Sequence, residues 1–140
     1  MSQPLDADLW RTLIPDDWVA EAEDESLLVF HPDGPGTLQF TCSEMEDGLV
    51  GDDELRYFAA ELLEDGHEPA NVSVGPLRGL KFEYQDADTD EWVIEWYLAA
   101  DDLFFFVTYS CPRAARGEEE EAVMAILRSV ELDEGTECDA

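Results

Sequence analysis

The side chains able to do chemistry are few, and their spacing argues against most chemistries. The two histidines, His31 and His67, stand 36 positions apart, beside the turn signals Pro32 and Gly66–Pro69. Neither sits in an HxxxH or HExxH spacing that would put two imidazoles on one metal. Cys42, Cys111 and Cys138 form no CxxC pair, so neither a zinc site nor a thioredoxin-type motif is supported. They read as reduced thiols, with Cys42 and Cys111 acting as small hydrophobes in or at the end of strands. Ser110 and Cys111 occupy a strand end, a good address for a nucleophile, but no base lies near them in sequence and no local signature of a catalytic serine or cysteine is present.

Asp86-Ala87-Asp88-Thr89-Asp90-Glu91 carries carboxylates at alternate positions, like the start of a calcium loop. The pattern fails at its sixth position, Glu91 instead of glycine, and at its twelfth, Tyr97 instead of glutamate. A hairpin turn with solvated acids is the better reading. Gly34-Pro35-Gly36 and Gly75-Pro76 are turns, since neither carries the lysine of a phosphate loop. The chain therefore reads as non-enzymatic, without metal or cofactor.

What remains is aromatic. Glu91–Ser110 (EWVIEWYLAADDLFFFVTYS) is the densest apolar stretch and reads as two strands joined by an acidic turn. Side chains alternate across a sheet, so Trp92, Ile94, Trp96 and Leu98 share one face and Val93, Glu95 and Tyr97 the other. The partner strand likewise splits Leu103, Phe105, Val107 and Tyr109 from Phe104, Phe106 and Thr108. Two strands apolar on both sides demand cover on both, or leave an aromatic patch for a partner. Trp92, Trp96, Tyr97 and Phe104 are the candidate partner-binding residues.

The elements that must position this hairpin follow from periodicity. Met1–Asp8 reads as a polar lead-in, and Leu9–Leu13, Trp18–Glu23 and Ser26–His31 as short strands. Thr37–Ser43 alternates Leu38, Phe40 and Cys42 against threonine, glutamine and serine, a half-buried strand placed nearer an edge of the sheet than its centre. Glu44–Gly51 is an acidic loop. Leu55, Phe58, Ala59, Leu62 and Leu63 make the stripe of a helix over Asp53–Asp65, with Asp52 as N-cap and Gly66 as the C′ residue. Val72 and Val74 suggest a short strand, and Gly79–Tyr84 a further one with Leu80, Phe82 and Tyr84 on one face. A closing helix spans Glu118–Val130 on Ala122, Val123, Ile126, Leu127 and Val130, followed by a short extended piece at Glu131–Leu132. The fold class is α+β: an antiparallel sheet of six or seven strands with helices packed on it as an α/β/α sandwich. Residues 1–132 form one domain and 133–140 a disordered acidic tail.

With 36 Asp and Glu against 7 Lys and Arg, the chain of 140 residues carries a net charge of −29. Such a field repels phosphate backbones and anionic membranes, excluding nucleic acid and lipid surfaces as partners. It would attract a basic protein, although solubility, a salty habitat or a biased genome is the plainer reading of the charge. A composition that is 45% hydrophobic supports a real core and excludes wholesale disorder. No signal peptide and no run of about 18 apolar residues occurs, so a cytoplasmic location is expected.

Trp10, the Ile14-Pro15-Asp16-Asp17-Trp18 step, Phe30-His31-Pro32, the Gly36–Phe40 strand and the Leu55–Leu63 helix are followed by Trp92–Leu98, Phe106-Val107-Thr108-Tyr109 and a helix ending Ile126-Leu127-Arg128-Ser129-Val130. This pattern resembles the PsbP-like superfamily, which includes DcrB-like bacterial proteins, over nearly the whole chain. The resemblance implies a sheet between helix layers, a bacterial source, and a non-enzymatic role binding another protein, as in chaperones of type VI secretion effectors. DcrB itself is an envelope lipoprotein, and this chain has no lipobox. The shared positions are core positions, so no ligand residues are implied. The expectation is a protein-binding module, concretely a secretion-effector chaperone; the alternative is an acidic immunity-type inhibitor of a basic toxin. A homodimer is a further expected assembly.

Overall fold

A computed structural model describes residues 2–6, 10–23, 26–44, 51–75, 77–86, 88, 90–100, 103–115 and 117–132. The chain runs β1 (Ser2–Asp6), β2 (Trp10–Pro15), β3 (Val19–Glu23), β4 (Ser26–Phe30), β5 (Thr37–Glu44), α1 (Asp52–Phe58), α2 (Ala60–Glu64), β6 (Ala70–Val74), β7 (Leu77–Asp86), β8 (Glu91–Ala100), β9 (Leu103–Pro112), α3 (Glu120–Arg128) and β10 (Glu131–Leu132). Seven strands form one antiparallel sheet in the order β3-β4-β5-β9-β8-β7-β6, and three more form a small antiparallel sheet in the order β1-β2-β10. The aromatic hairpin is β8–β9, and β9 is the middle strand of the seven.

The alternation expected of the hairpin is the one found. On the first face Trp96 and Leu98 of β8 oppose Val107 and Phe105 of β9. They join Leu38 and Phe40 of β5 and Val123, Ile126 and Leu127 of α3 in one buried cluster. Trp10 of β2 closes over it, its ring 4.8 Å from Phe40 and 5.6 Å, edge-on, from Phe105. On the second face Leu80 and Phe82 of β7 and Tyr97 and Ala99 of β8 pack under Leu55 of α1 and Ala59, with Leu62 and Leu63 of α2 alongside. The sheet is thus covered on both sides. The expected pair of helix layers is modified on the first face, where α3 shares the work with the small sheet.

Four local expectations are corrected. The lead-in 1–8 contains strand β1, which pairs with β2 from Ser2↔Pro15 to Asp6↔Arg11. Strand β5 is not near an edge, for it is bonded on one side to β4 and on the other to β9; alternation reports how the faces are covered, not how many neighbours a strand has. The expected single helix is interrupted at Ala59 (φ −95°, ψ 14°). Its apolar stripe survives because the Ala59 amide still donates to Leu55 O at 3.1 Å and Leu63 N to Ala59 O at 3.1 Å. The N-cap is Gly51, in place of Asp52, with Glu54 reaching back to accept its amide at 3.0 Å. Gly66 is the C′ residue as expected: at φ 92° it lets Gly66 N–H reach Leu63 O and His67 N–H reach Leu62 O, the two bonds of a Schellman motif. The expected acidic tail, 133–140, and most of the acidic loop after β5 lie outside the described residues.

Candidate binding surfaces

The structure divides the four aromatic residues singled out from sequence into two pairs, back to back across the sheet. Trp92 and Trp96 lie on the face covered by α3; Tyr97 and Phe104 lie on the face covered by α1 and α2. Trp96 and Tyr97 are buried, at 1% and 8% exposure, whereas Trp92 and Phe104 are half-buried. Strand alternation places neighbours such as Trp96 and Tyr97 on opposite sides, so the four cannot form one surface.

Phe104 is the point at which the second face reaches solvent. Its ring lies 4.3 Å from that of Phe58, which in turn is 5.8 Å from Tyr57. Tyr57 is 77% exposed and Phe58 36%. Inward from Phe104 the contacts continue to Tyr97 at 6.4 Å and from there to Phe106 at 5.1 Å. A row of rings therefore runs from the open edge of α1 down to the sheet. The helix stripe predicted Phe58, but Tyr57 was missed: it lies outside the stripe, and only its exposure marks it. On the same face, toward β4 and β5, the apolar surface gives way to polar side chains that bond one another: Ser26 Oγ to Thr41 Oγ1 at 3.1 Å, and Gln39 Nε2 to Ser26 Oγ at 3.0 Å.

Beneath α1 and α2, the half-buried Glu95 carboxylate accepts hydrogen bonds from Tyr84 (2.5 Å) and Tyr97 (2.9 Å). Burial first, and then the bond to Glu95, pushes both phenols well above the ordinary tyrosine range. On the α3 side Tyr109 donates to Glu119 at 2.6 Å and is shifted the same way, chiefly by burial. These phenols are fixed donors holding glutamates in place.

The remaining reactive residues sit where they serve structure. Cys111 is buried at 1% exposure, and burial raises its thiol pKa, which disfavours the thiolate a nucleophile needs. Cys138 lies outside the described residues. His31 accepts the Asp33 amide on Nδ1 at 2.9 Å and places Nε2 3.3 Å from Asp17; His67 stacks 4.8 Å from Tyr84. In the β7–β8 turn, Asp86 Oδ1 accepts the Asp88 amide at 2.8 Å and Asp90 Oδ1 accepts from Gln85 Nε2 at 2.9 Å, so these acids brace the turn. Among the described residues no group of three or more His, Cys, Asp or Glu is placed to hold a metal ion. Nor is any helix among them long and apolar enough to cross a membrane.

No protein-family model matches the sequence, and no curated protein matches it either. Solved structures do. A protein from Bacteroides thetaiotaomicron superposes with a TM-score of 0.63 at 16% identity over 91% of this chain; the chain spans 46% of that protein's length. LpqN of Mycobacterium tuberculosis, described as involved in cell envelope biogenesis, gives 0.60 at 14% identity, covering 94% of this chain and 84% of LpqN. The Saccharomyces cerevisiae Ran-binding protein Mog1p gives 0.59 at 9% identity, covering 94% of this chain and 95% of Mog1p. At these identities the likeness is one of fold alone: it agrees with the α+β architecture expected from the sequence and singles out no family.

Proposed function

We propose that this protein is a non-enzymatic binding module that docks another protein on the aromatic edge of α1. The observation that carries this reading is the Tyr57–Phe58–Phe104 row, in which two large rings stand exposed and the third is half-buried. Aromatic side chains that are already packed against one another lose little freedom on binding, which suits them as anchors. The polar row on β4 and β5 beside them fits the rim of such an interface. That Mog1p, a protein of the same fold, is Ran-binding supports the class of function but not the partner.

The net charge of −29 favours a basic partner and predicts association accelerated by long-range attraction. A secretion-effector chaperone is one concrete form of the reading. The second, an acidic inhibitor of a basic toxin, draws specifically on the charge. The test is retention of the partner by wild-type protein and by the Tyr57→Ser/Phe58→Ser variant, at about 0.1 M and about 1 M salt, across which the Debye length falls from about 10 Å to about 3 Å. Anchors of this kind contribute about 2 kcal/mol, so affinity should drop at least about 30-fold in the variant. Undiminished retention by the variant removes the proposed surface, and salt-insensitive association removes the basic partner. Sedimentation of the purified chain tests the competing occupant, a second copy of itself.

A further inference from the structure

On the opposite face of the sheet, the edge of α3 does not close fully onto β7 and β8. A cavity of about 150 Å³ remains there, walled by Trp92, Ile94 and Trp96 from β8 and by Val123 and Met124 from α3, and opening past Glu83 and Glu120. A cavity of that size with apolar walls admits a single six-membered ring. The ammonium of Lys81 borders it. The indole Nε1–H of Trp96 meets no acceptor among the described residues, but it is enclosed in the core and presents no surface to the cavity. Lys81, the only lysine in the chain, stands directly across the β7–β8 ladder from Trp96. Its ammonium lies 5.8 Å from the Trp96 ring centroid and 2.8 Å from Glu83 Oε2. An ammonium has three donors, and Glu83 is its one carboxylate partner among the described residues.

We propose that this cavity is a binding site for a small neutral molecule with an aromatic or similarly flat apolar body and one carbonyl-type acceptor. The volume and the tryptophan, isoleucine, valine and methionine walls select the body. The Lys81 donors not taken by Glu83 select the acceptor. Charge selects against an anion, because Glu83 and Glu120 outnumber Lys81 at the lining of a chain already at −29. The site is separated by the sheet from the aromatic row on α1 and does not depend on the protein-binding reading.

Benzamide, which carries the acceptor, and toluene, which has the ring without it, are the probes. The readout is the set of indole N–H signals in a nitrogen–proton NMR spectrum, with the Trp96 signal assigned by its loss in Trp96→Phe. Benzamide should move the Trp96 signal saturably, and toluene should bind about tenfold more weakly for want of the hydrogen bond. Lys81→Met should weaken benzamide and leave toluene unchanged. Met124→Trp should fill the cavity and abolish both; Glu120→Trp, an exposed position, blocks the mouth without altering the core should the first variant not fold. Failure of either probe to saturate, or saturation undiminished in both blocking variants, overturns the site. Equal affinity for the two probes, or indifference of benzamide to Lys81→Met, overturns the assignment of the ligand class.

Discussion

Thr12 is buried, at 2% exposure. It ties the small sheet to α3. Its Oγ1 donates to the Ile126 carbonyl at 2.7 Å and lies 2.6 Å from Ser129 Oγ. Ser129 Oγ in turn accepts the Leu13 amide at 2.9 Å and sits 2.8 Å from the same Ile126 carbonyl. Thr12→Val keeps the shape and deletes the hydroxyl. Ile126 O is not stranded, because it still receives the Ser129 amide at 3.1 Å, and Ser129 Oγ keeps Leu13. The loss is therefore the net value of one to two hydrogen bonds without a desolvation penalty, about 1.5 kcal/mol. For a domain of this length that lowers Tm by about 5 °C. Ser129→Ala should cost a similar amount, and because the two hydroxyls share a bond, the double variant should lose about 1 kcal/mol less than the sum. Urea unfolding followed by tryptophan fluorescence, to which Trp10 on the same strand contributes, measures all three. A Thr12→Val midpoint equal to wild type, or single effects that simply add, would refute the shared network.

Alkaline pH and strand spacing provide two further checks. Burial, and then a glutamate partner, keeps the phenols of Tyr84, Tyr97 and Tyr109 protonated above the ordinary tyrosine pKa of 10.0. The unfolded chain releases those protons first, so their contribution to stability is fully present below about pH 10 and declines as pH rises beyond it; urea midpoints that hold steady or rise between about pH 9 and pH 11 would contradict this. Gly79, paired with Leu98 across the β7–β8 ladder, has no room for a side chain, since a Cβ there would overlap the Tyr97 carbonyl oxygen. Because the obstruction is backbone, Gly79→Ala should cost about 3 kcal/mol, and a near-neutral thermal melt would show that the strands can part.

Legibility followed burial. Strands β7, β8 and β9 and helix α3 announced themselves because a covered face forces a period on the chain: Leu80 and Phe82, Trp96 and Leu98, and Ile126 and Leu127 all sit in the clusters that their spacing implied. Strand β1 was illegible because what places it is backbone pairing to β2, which carries no side-chain signature. The rank of β5 in the sheet was misread for a related reason. Its polar row, Gln39, Thr41 and Ser43, records the uncovered part of one face, while its second neighbour, β9, arrives from about 60 residues further along the chain. The candidate site was half legible. Composition identified the aromatic strands, but Tyr57 and the gap beside α3 depend on where helices stop covering the sheet, a property of the assembled layers that no single segment encodes.

The small sheet also sets an order in time. Its middle strand, β2, receives β10 through Arg11 and Trp10, and the Arg11–Glu131 pair spans 120 residues. At synthesis rates of about 5–20 residues per second, Trp10 leaves the ribosome on the order of 10 s before β10 and α3 exist to complete the layer around it. Until then the α3-facing side of the nascent sheet, with Leu38, Phe40 and Phe105, has only part of its cover. The hairpins between β3 and β5 and between β7 and β9 need only local closure and can form earlier. The nascent chain thus stays open to misassociation until α3 and β10 have been made, and those two elements end the hazard.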